Sequence, residues 1–369
     1  VQNSPTCSTS IVMVEFNTNA LLPKQWKLGE PGHSFRVYNP AITRHSSRLI
    51  LACRVDSIGH GGTQRRIAIC ALDDQLRVVP NSVVPLSDTV REGGIWHYDP
   101  RFLVYQDRLF VHYNNNFMTR PNQIYMVELD PDTLEAKSSA RPLHIDSPRQ
   151  EIEKNWMLFE YEGDLYAVYS ITPHIILRID LAGAGPVVCR PAFRSEWNVA
   201  AYVERYGNPR GGAPPVRCGD MYMSFYHSRR PVSRLNWVLR YWPVAPDTKL
   251  PRYLAAIERR LRRPFAQVCY FAGAYAFEAA PPFRPVWHTK EPVLRPENET
   301  PRRRRVRANP SADGIVYPCG AVSWEDGSWI VSYGLHDESC CLRRVWLPGS
   351  TVNAVVFDIN GCSVLNNSQ

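Results

Sequence analysis

The chain lacks the marks that usually assign a protein quickly. No apolar run approaches the roughly 18 residues of a membrane-crossing helix, so no span is expected in it. Its cysteines have no paired Cys-x-x-Cys spacing, and its 10 histidines are scattered without ligand spacing. No zinc site, catalytic metal or other cofactor is therefore expected. HExxH, P-loop, GxSxG and GxGxxG patterns are all missing, which removes several hydrolase and nucleotide-binding classes in their sequence-legible forms. Asp130-Pro131-Asp132 has the DxD form that holds a metal and a nucleotide sugar in many transferases. It follows a strand in the run ELDPDTL, however, where Asp and Pro build a turn. The chain begins with Val1 and not with Met, so a trimmed start is expected and a removed signal peptide or anchor stays open.

What is present is a repeat. Units of about 55 to 60 residues open with a polar residue or glycine beside a proline, or with a close relative of that pattern, then run through a short strand, a hairpin turn and a second strand. The openers are Asn39-Pro40, Asp99-Pro100-Arg101, Glu153-Lys154-Asn155-Trp156, Gly212-Ala213-Pro214-Pro215 and Tyr317-Pro318-Cys319-Gly320. The second strands read LILACRV from Leu49, LFVHYNN from Leu109, LYAVYSI from Leu165, YMSFYHS from Tyr222 and WIVSYGL from Trp329. They start 60, 56, 57 and 107 residues apart, so the last interval holds an insertion of about 50. This period predicts an all-β chain, a five-bladed β-propeller of four-stranded blades whose one insertion contains a short basic helix. Five units disfavour a seven-bladed ring. The expected layout is an N-terminal extension over 1–33 packed on the propeller, one propeller over 34–361 with the insertion at about 243–306 between the second strands of blades four and five, and a tail over 362–369.

Ten cysteines and two glycosylation sequons, Asn298-Glu299-Thr300 and Asn366-Asn367-Ser368, tilt the expectation toward an oxidising lumenal or secreted setting, with disulfides of unassigned pairing. The net charge of +8 is concentrated in the insertion. Arg259, Arg260, Arg262 and Arg263 end an expected helix over 252–263, and Arg302–Arg305 with Arg307 follow a proline-rich stretch. A solvated basic loop is the plain reading; an acidic partner or anion at Arg259–Arg263 and Arg302–Arg307 is the functional one. No nucleic-acid motif accompanies these arginines, so no nucleic-acid partner is expected.

In a propeller the innermost strands line the axis, so polar side chains at equivalent blade positions converge at one end of it. The openers bring Asn39, Asp99, Arg101, Lys154 and Asn155 to that end. The ends of the second strands add Arg54, Asn114, Tyr169, His227 and Asp337, and Trp96, Trp156, Tyr226 and Tyr333 supply aromatic faces. Burying so many ionisable groups without a task is costly. Acids, bases and rings together suit a sugar, whose hydroxyls want polar partners and whose ring face wants an aromatic wall. Each residue also has a plainer reading: Asp99 and Arg101 as an ion pair fixing a blade start, Lys154 paired with Glu153 or a neighbouring blade, His227 as a packed channel histidine, Gly211–Pro215 as a device for close backbone approach, Asp337 as a turn cap. Their joint placement carries the functional reading.

These motifs, with Phe159, Tyr226-His227 and Tyr333-Gly334, resemble the successive blade motifs of the β-mannoside phosphorylases of glycoside hydrolase family 130 and the related β-1,2-mannosyltransferases of glycosyltransferase family 108. The resemblance runs from about Asn39 to Trp346. It implies a sugar site in the central funnel, with Asp99 as the catalytic general acid acting through a sugar hydroxyl, and with Arg54, Arg101, Lys154, Asn155, His227 and Asp337 around the donor sugar or an anion beside it. In transfer to an acceptor hydroxyl the same group runs in reverse, as a base. Two departures shape the expectation. Tyr98 stands where the phosphorylases commonly carry Glu, and Ser170 stands near their phosphate-binding arginine. A phosphate nucleophile needs several charge-assisted bonds, so the expected activity is inverting glycosyl transfer from a nucleotide sugar or sugar phosphate to a glycan acceptor. A β-glycoside hydrolase or phosphorylase and a non-catalytic carbohydrate-binding propeller are the alternatives.

Overall fold

The computed structural model describes residues 13–94, 96–115, 122–183, 185–233, 266–296, 312 and 314–347. The arginines at 259–263 and 302–307, both sequons, Cys7 and Cys362 lie outside the described residues, as does the expected helix over 252–263.

The strands fall into five blades. Strand β1 (Met13–Glu15) comes first in the chain and is used last. The first blade is β2 (Ser34–His45), β3 (Arg48–Gly59) and β4 (Gly62–Leu72), with isolated bridges from Leu72 to Val78 and from Ile69 to Val84 at its outer edge. The second is β5 (Tyr98–Tyr105), β6 (Arg108–Asn114), β7 (Ile124–Leu129) and β8 (Arg141–Ile145), and the third is β9 (Met157–Tyr161), β10 (Asp164–Ser170), β11 (His174–Asp180) and β12 (Val187–Ser195). Parallel pairing of β8 with β12 joins these two into one eight-stranded sheet. In the fourth blade the inner strand is broken into β13 (Pro209–Arg210) and β14 (Val216–Cys218), both paired with β15 (Met221–Ser233), which continues into β16 (Ala266–Glu278) and β17 (Pro285–His288). The fifth blade is β18 (Val316–Ser323), β19 (Trp329–Leu335) and β20 (Ser339–Val345), completed by β1 as its outer strand.

Alternation along the strands builds five cores, one between each pair of neighbouring blades. On β3, Leu51, Cys53 and Val55 face Ile330, Cys340 and Leu342 of the fifth blade, while Ile50 and Ala52 face Phe102, Val111 and Val127 of the second. Leu103 and Phe110 meet Leu158, Ala167 and Leu177. Phe159 and Val168 meet Tyr222, Tyr275 and Phe277. Phe225, Ala272 and Ala274 meet Val331, Tyr333 and Leu335. Five blades and five interfaces close the ring.

Two expectations are corrected. The stretch from 243 to 306 is not an insertion throughout: β16 pairs with β15 over 13 residues, so Ala266–Glu278 and Pro285–His288 are the third and fourth strands of the fourth blade. Measuring only from second strand to second strand conceals them. The first blade also departs from four regular strands, since its outer edge is carried by single bridges at Val78 and Val84.

Candidate active site

The openers lie within or just before the innermost strands, and three share one backbone device. Asn39, Asp99 and Asn155 all have positive φ, at 50°, 47° and 64°. Asn and Asp are the side chains that tolerate this region. In the first two blades the pairing register shifts at the same point, between Tyr38 and Ala41 and between Tyr98 and Arg101. Such a bulge re-aims one side chain out of the strand's alternation. A residue held in a sparsely populated region at equivalent places in successive blades points to a site.

Around Asp99 the geometry is specific. Asn39 Nδ2 donates to Asp99 Oδ1 at 2.8 Å, and Arg54 Nη1 reaches the same oxygen at 3.4 Å. Arg54 is itself clamped: Nε donates to Asp56 Oδ1 at 2.8 Å and Nη2 to Asp56 Oδ2 at 3.2 Å, while the Tyr38 hydroxyl donates to Asp56 Oδ2 at 2.8 Å. The Arg54 guanidinium lies between the rings of Tyr38 and Tyr98, 4.6 and 4.4 Å from their centroids. Arg65 extends the stack, 5.2 Å from the Tyr98 centroid and 4.6 Å from that of Trp96. A ladder of alternating rings and guanidiniums thus runs from Trp96 to Tyr38 along the wall beside Asp99. Cation–π contacts of this kind hold charge where hydration is reduced.

Arg101 forms the floor. It is 1% exposed, and Nε donates to the Gly212 carbonyl at 2.6 Å, Nη2 to the Tyr317 hydroxyl at 2.7 Å and to Asn155 Oδ1 at 3.4 Å. The Tyr317 hydroxyl donates in turn to Asn155 Oδ1 at 2.5 Å. One guanidinium therefore ties the second blade to the third, fourth and fifth. Burial and the Arg101 charge act in opposite directions on the Tyr317 hydroxyl; burial is the larger and pushes its pKa up. Gly211 permits the fourth blade's approach to the third, since a Cβ there would lie 1.9 Å from the Asn155 carbonyl oxygen, and Gly212 permits close packing within the fourth blade, where a Cβ would lie 2.3 Å from the Phe225 carbonyl oxygen.

Opposite the ladder stand the remaining charges. His227 Nδ1 donates to the Gly211 carbonyl at 3.0 Å, and its ring stacks on Tyr270 with centroids 5.3 Å apart. Burial, then the charges of Arg101, Arg210 and Lys154, hold His227 well below the usual histidine range, so it is a neutral ring with Nε2 as acceptor. The Lys154 ammonium is lowered, first by desolvation and then by Arg210, Arg229 and Arg101, against the pull of Asp99. Lys154 thus feels the charge of Asp99 on one side and of Arg210 and Arg229 on the other. Asp337, half-buried at positive φ 52°, is raised to about 6, first by desolvation; Arg54 pulls it down while Asp99 and Asp56 push it up. Three carboxyl groups, Asp56, Asp99 and Asp337, therefore share the field of Arg54.

The structure brings together Asn39, Arg54, Asp99, Lys154, Asn155, His227 and Asp337, and sets Trp96 at the end of the ladder. It corrects other expectations of sugar contact. Arg101 is sealed in the floor. Trp156 is 1% exposed and donates to Glu153 Oε2 at 3.1 Å; Tyr169 donates to the other oxygen of that carboxylate at 3.2 Å, and its ring packs edge-on against Trp156. Tyr226 and Tyr333 lie in the cores between blades three and four and between four and five. Asn114 is buried opposite Tyr98. For Tyr226 and Tyr333 the reason is alternation, which turns these second-strand side chains into inter-blade cores. Lys154 does not lean on Glu153, whose carboxylate is taken by Trp156, Tyr169 and the Gln150 amide. Residues missed in the sequence are Tyr38, Asp56, Arg65, Arg210, Arg229 and Tyr270. The parallel Tyr38-Asn39-Pro40 and Tyr98-Asp99-Pro100 held the one readable signal.

No family model and no curated protein matches the sequence. Solved structures do. A GDP-Man-dependent mannosyltransferase from Leishmania mexicana is 10% identical, with TM-score 0.55, covering 85% of this chain and 86% of that one. A β-1,2-mannobiose phosphorylase from Listeria innocua is 14% identical, with TM-score 0.51 and coverage of 90% and 96%. A mannose phosphorylase from Leishmania mexicana is 10% identical, with TM-score 0.50 and coverage of 84% of both chains. The resemblance carried by the blade motifs therefore holds over most of the chain at the level of the fold: this five-bladed propeller is similar to those of mannoside phosphorylases and mannosyltransferases.

Proposed function

We propose that this propeller is a carbohydrate-active enzyme that makes or breaks a mannosidic bond, with Asp99 moving the proton and Lys154, Arg210 and Arg229 holding a phosphate-bearing co-substrate. The observation that carries it is the position of Asp99: held at positive φ by its bulge, fixed on Oδ1 by Asn39 and Arg54, and in the field of Lys154, which Arg210 and Arg229 also influence. Oδ1 is occupied, so Oδ2 is the atom available to a sugar hydroxyl or glycosidic oxygen. Proton transfer by a positioned carboxyl group typically contributes about 10²–10⁴-fold.

Inverting transfer from a nucleotide sugar is the preferred reading. The diphosphate leaves as an anion, and crowded cations stabilise charge that develops on it. Asp99 then accepts the proton of the acceptor hydroxyl. Phosphorolysis is the second reading, and the same cluster supports it, because Arg210 and Arg229 supply cations that Ser170 does not. There inorganic phosphate attacks the sugar carbon and Asp99 gives its proton to the departing hydroxyl.

The test is a thermal-shift screen of GDP-mannose, inorganic phosphate and β-1,2-mannobiose. A ligand at about 100 times its Kd stabilises by about 2.7 kcal/mol. Stabilisation by GDP-mannose alone that is lost in Lys154→Met supports transfer. Stabilisation by phosphate, strengthened by mannobiose, replaces it with phosphorolysis, and no response to any of the three defeats both.

A further inference from the structure

The ring closes between the first and fifth blades. On the first-blade side Cys53 stands opposite Ala68 and Leu51 opposite Cys70, so β3 and β4 turn both thiols to one face. On the fifth-blade side β20 turns Cys340 into the same core, while its neighbour Cys341 faces the fourth blade. Cys53, Cys70 and Cys340 are each 1% exposed and unbonded covalently. Cys340 packs in one buried cluster with Cys53 and Cys70, and burial, then Cys53, pushes its thiol pKa up; the Cys53 thiol lies within donating distance of the Ala68 carbonyl, at 3.6 Å.

Backbone closure at this seam is slight. Strand β1 adds three residue pairs, Met13 with Arg343, Val14 with Leu342 and Glu15 with Cys341. Phe16 N donates to the Cys340 carbonyl at 3.0 Å, the Ser339 hydroxyl to Glu15 Oε1 at 2.8 Å, and the Ile42 amide to the Ser332 hydroxyl at 3.0 Å. Opening the seam releases nearly the whole chain as one loop, the case in which a cross-link restricts the unfolded state most.

We propose that Cys53 and Cys340 are an oxidation site, forming a disulfide that latches the first blade to the last. The oxidant is a small disulfide such as oxidised glutathione. One cysteine, as thiolate, attacks it and releases one glutathione, leaving a mixed disulfide; the second cysteine's thiolate then displaces the other. Two protein thiols become one disulfide, and two glutathione thiols carry off the two electrons and two protons. Exchange needs thiolate and access. The closed core denies both to Cys340, so the bond forms before the seam shuts. Cys70 is the spare: a bond from it to Cys53 would stay inside one blade and latch nothing.

Denatured, reduced protein is refolded with reduced and oxidised glutathione, or with reductant alone, then alkylated in denaturant and mapped by mass spectrometry. The expected result is a Cys53–Cys340 linked peptide in the first sample alone, with a Tm higher by about 5 °C. Cys70→Ala should keep the link; Cys53→Ser should lose both link and Tm difference. Alkylation of both Cys53 and Cys340 after oxidative refolding overturns the proposal, as does Cys70 appearing in the linked peptide. The wild-type map decides the question even if a variant fails to fold.

Discussion

Asn39 and Asp99 occupy the same place in adjacent blades, both at positive φ, and the Asn39 amide donates to Asp99 Oδ1 at 2.8 Å. The repeat places a second copy of its own opener against the first. One copy keeps a carboxylate and the other an amide, so the pair makes a hydrogen bond where two carboxylates would repel.

Gly334 makes room for that bond. A Cβ there would lie 1.9 Å from Asn39 Oδ1 and 2.9 Å from its backbone nitrogen. Gly334→Ala should displace Asn39 and lower turnover by at least about 10-fold, with overpacking costing roughly 1–3 kcal/mol. Parallel rate and Tm measurements check it; unchanged turnover would mean that Asn39 does not position Asp99.

Arg101→Lys should be poorly tolerated. An ammonium cannot reproduce a planar fork that bonds the Gly212 carbonyl, the Tyr317 hydroxyl and Asn155 together. Leaving buried acceptors unpaired costs about 1–3 kcal/mol each, so denaturant unfolding should show a loss of roughly 2–4 kcal/mol. A loss within 0.5 kcal/mol or so would contradict its role as the floor.

Asp337 gives a pH signature. Its folded pKa is raised from 3.8 to about 6, so between those values the folded state binds the proton more tightly than the unfolded one. Stability contributed by this group is therefore present at low pH and lost as pH rises through about 6. Asp337→Asn should match wild type near pH 4 and exceed it above pH 6, by about 1–3 kcal/mol. Tm profiles that stay parallel across this window would refute the assignment.

His227 should stay neutral throughout. Burial and three neighbouring cations depress it, and its Nδ1 proton is fixed on the Gly211 carbonyl. Nitrogen chemical shifts of its ring should show one tautomer, unchanged from pH 5 to 8; a titration in that range would contradict a ring kept neutral by burial.

The ring was legible because its period is written in the openers and second strands, each short and strongly patterned. The site was legible only where the repeat itself marks it. Asn39, Asp99 and Asn155 recur at one blade position, and Arg54, His227 and Asp337 close the short second-strand motifs of their repeats, although β3 and β15 run on past Arg54 and His227. Trp156, Tyr226 and Tyr333 misled because alternation decides whether a ring faces the axis or the next blade, and that register depends on bulges such as the one at Tyr98–Arg101. Arg210 and Arg229 carried no local signal. They reach Lys154 because the broken inner strand of the fourth blade pairs Arg210 with His227, a contact made by folding.

The account rests on Asp99, and one comparison tests it most directly: the rate of product formation by wild type and Asp99→Asn, with GDP-mannose and a mannoside acceptor or with phosphate and β-1,2-mannobiose. The variant keeps the hydrogen-bonding shape and loses the titratable proton. A loss of about 10²-fold or more with ligand-induced Tm shifts intact is the predicted result. Turnover within a few-fold of wild type would contradict it and move the chemistry to another carboxyl group of the site.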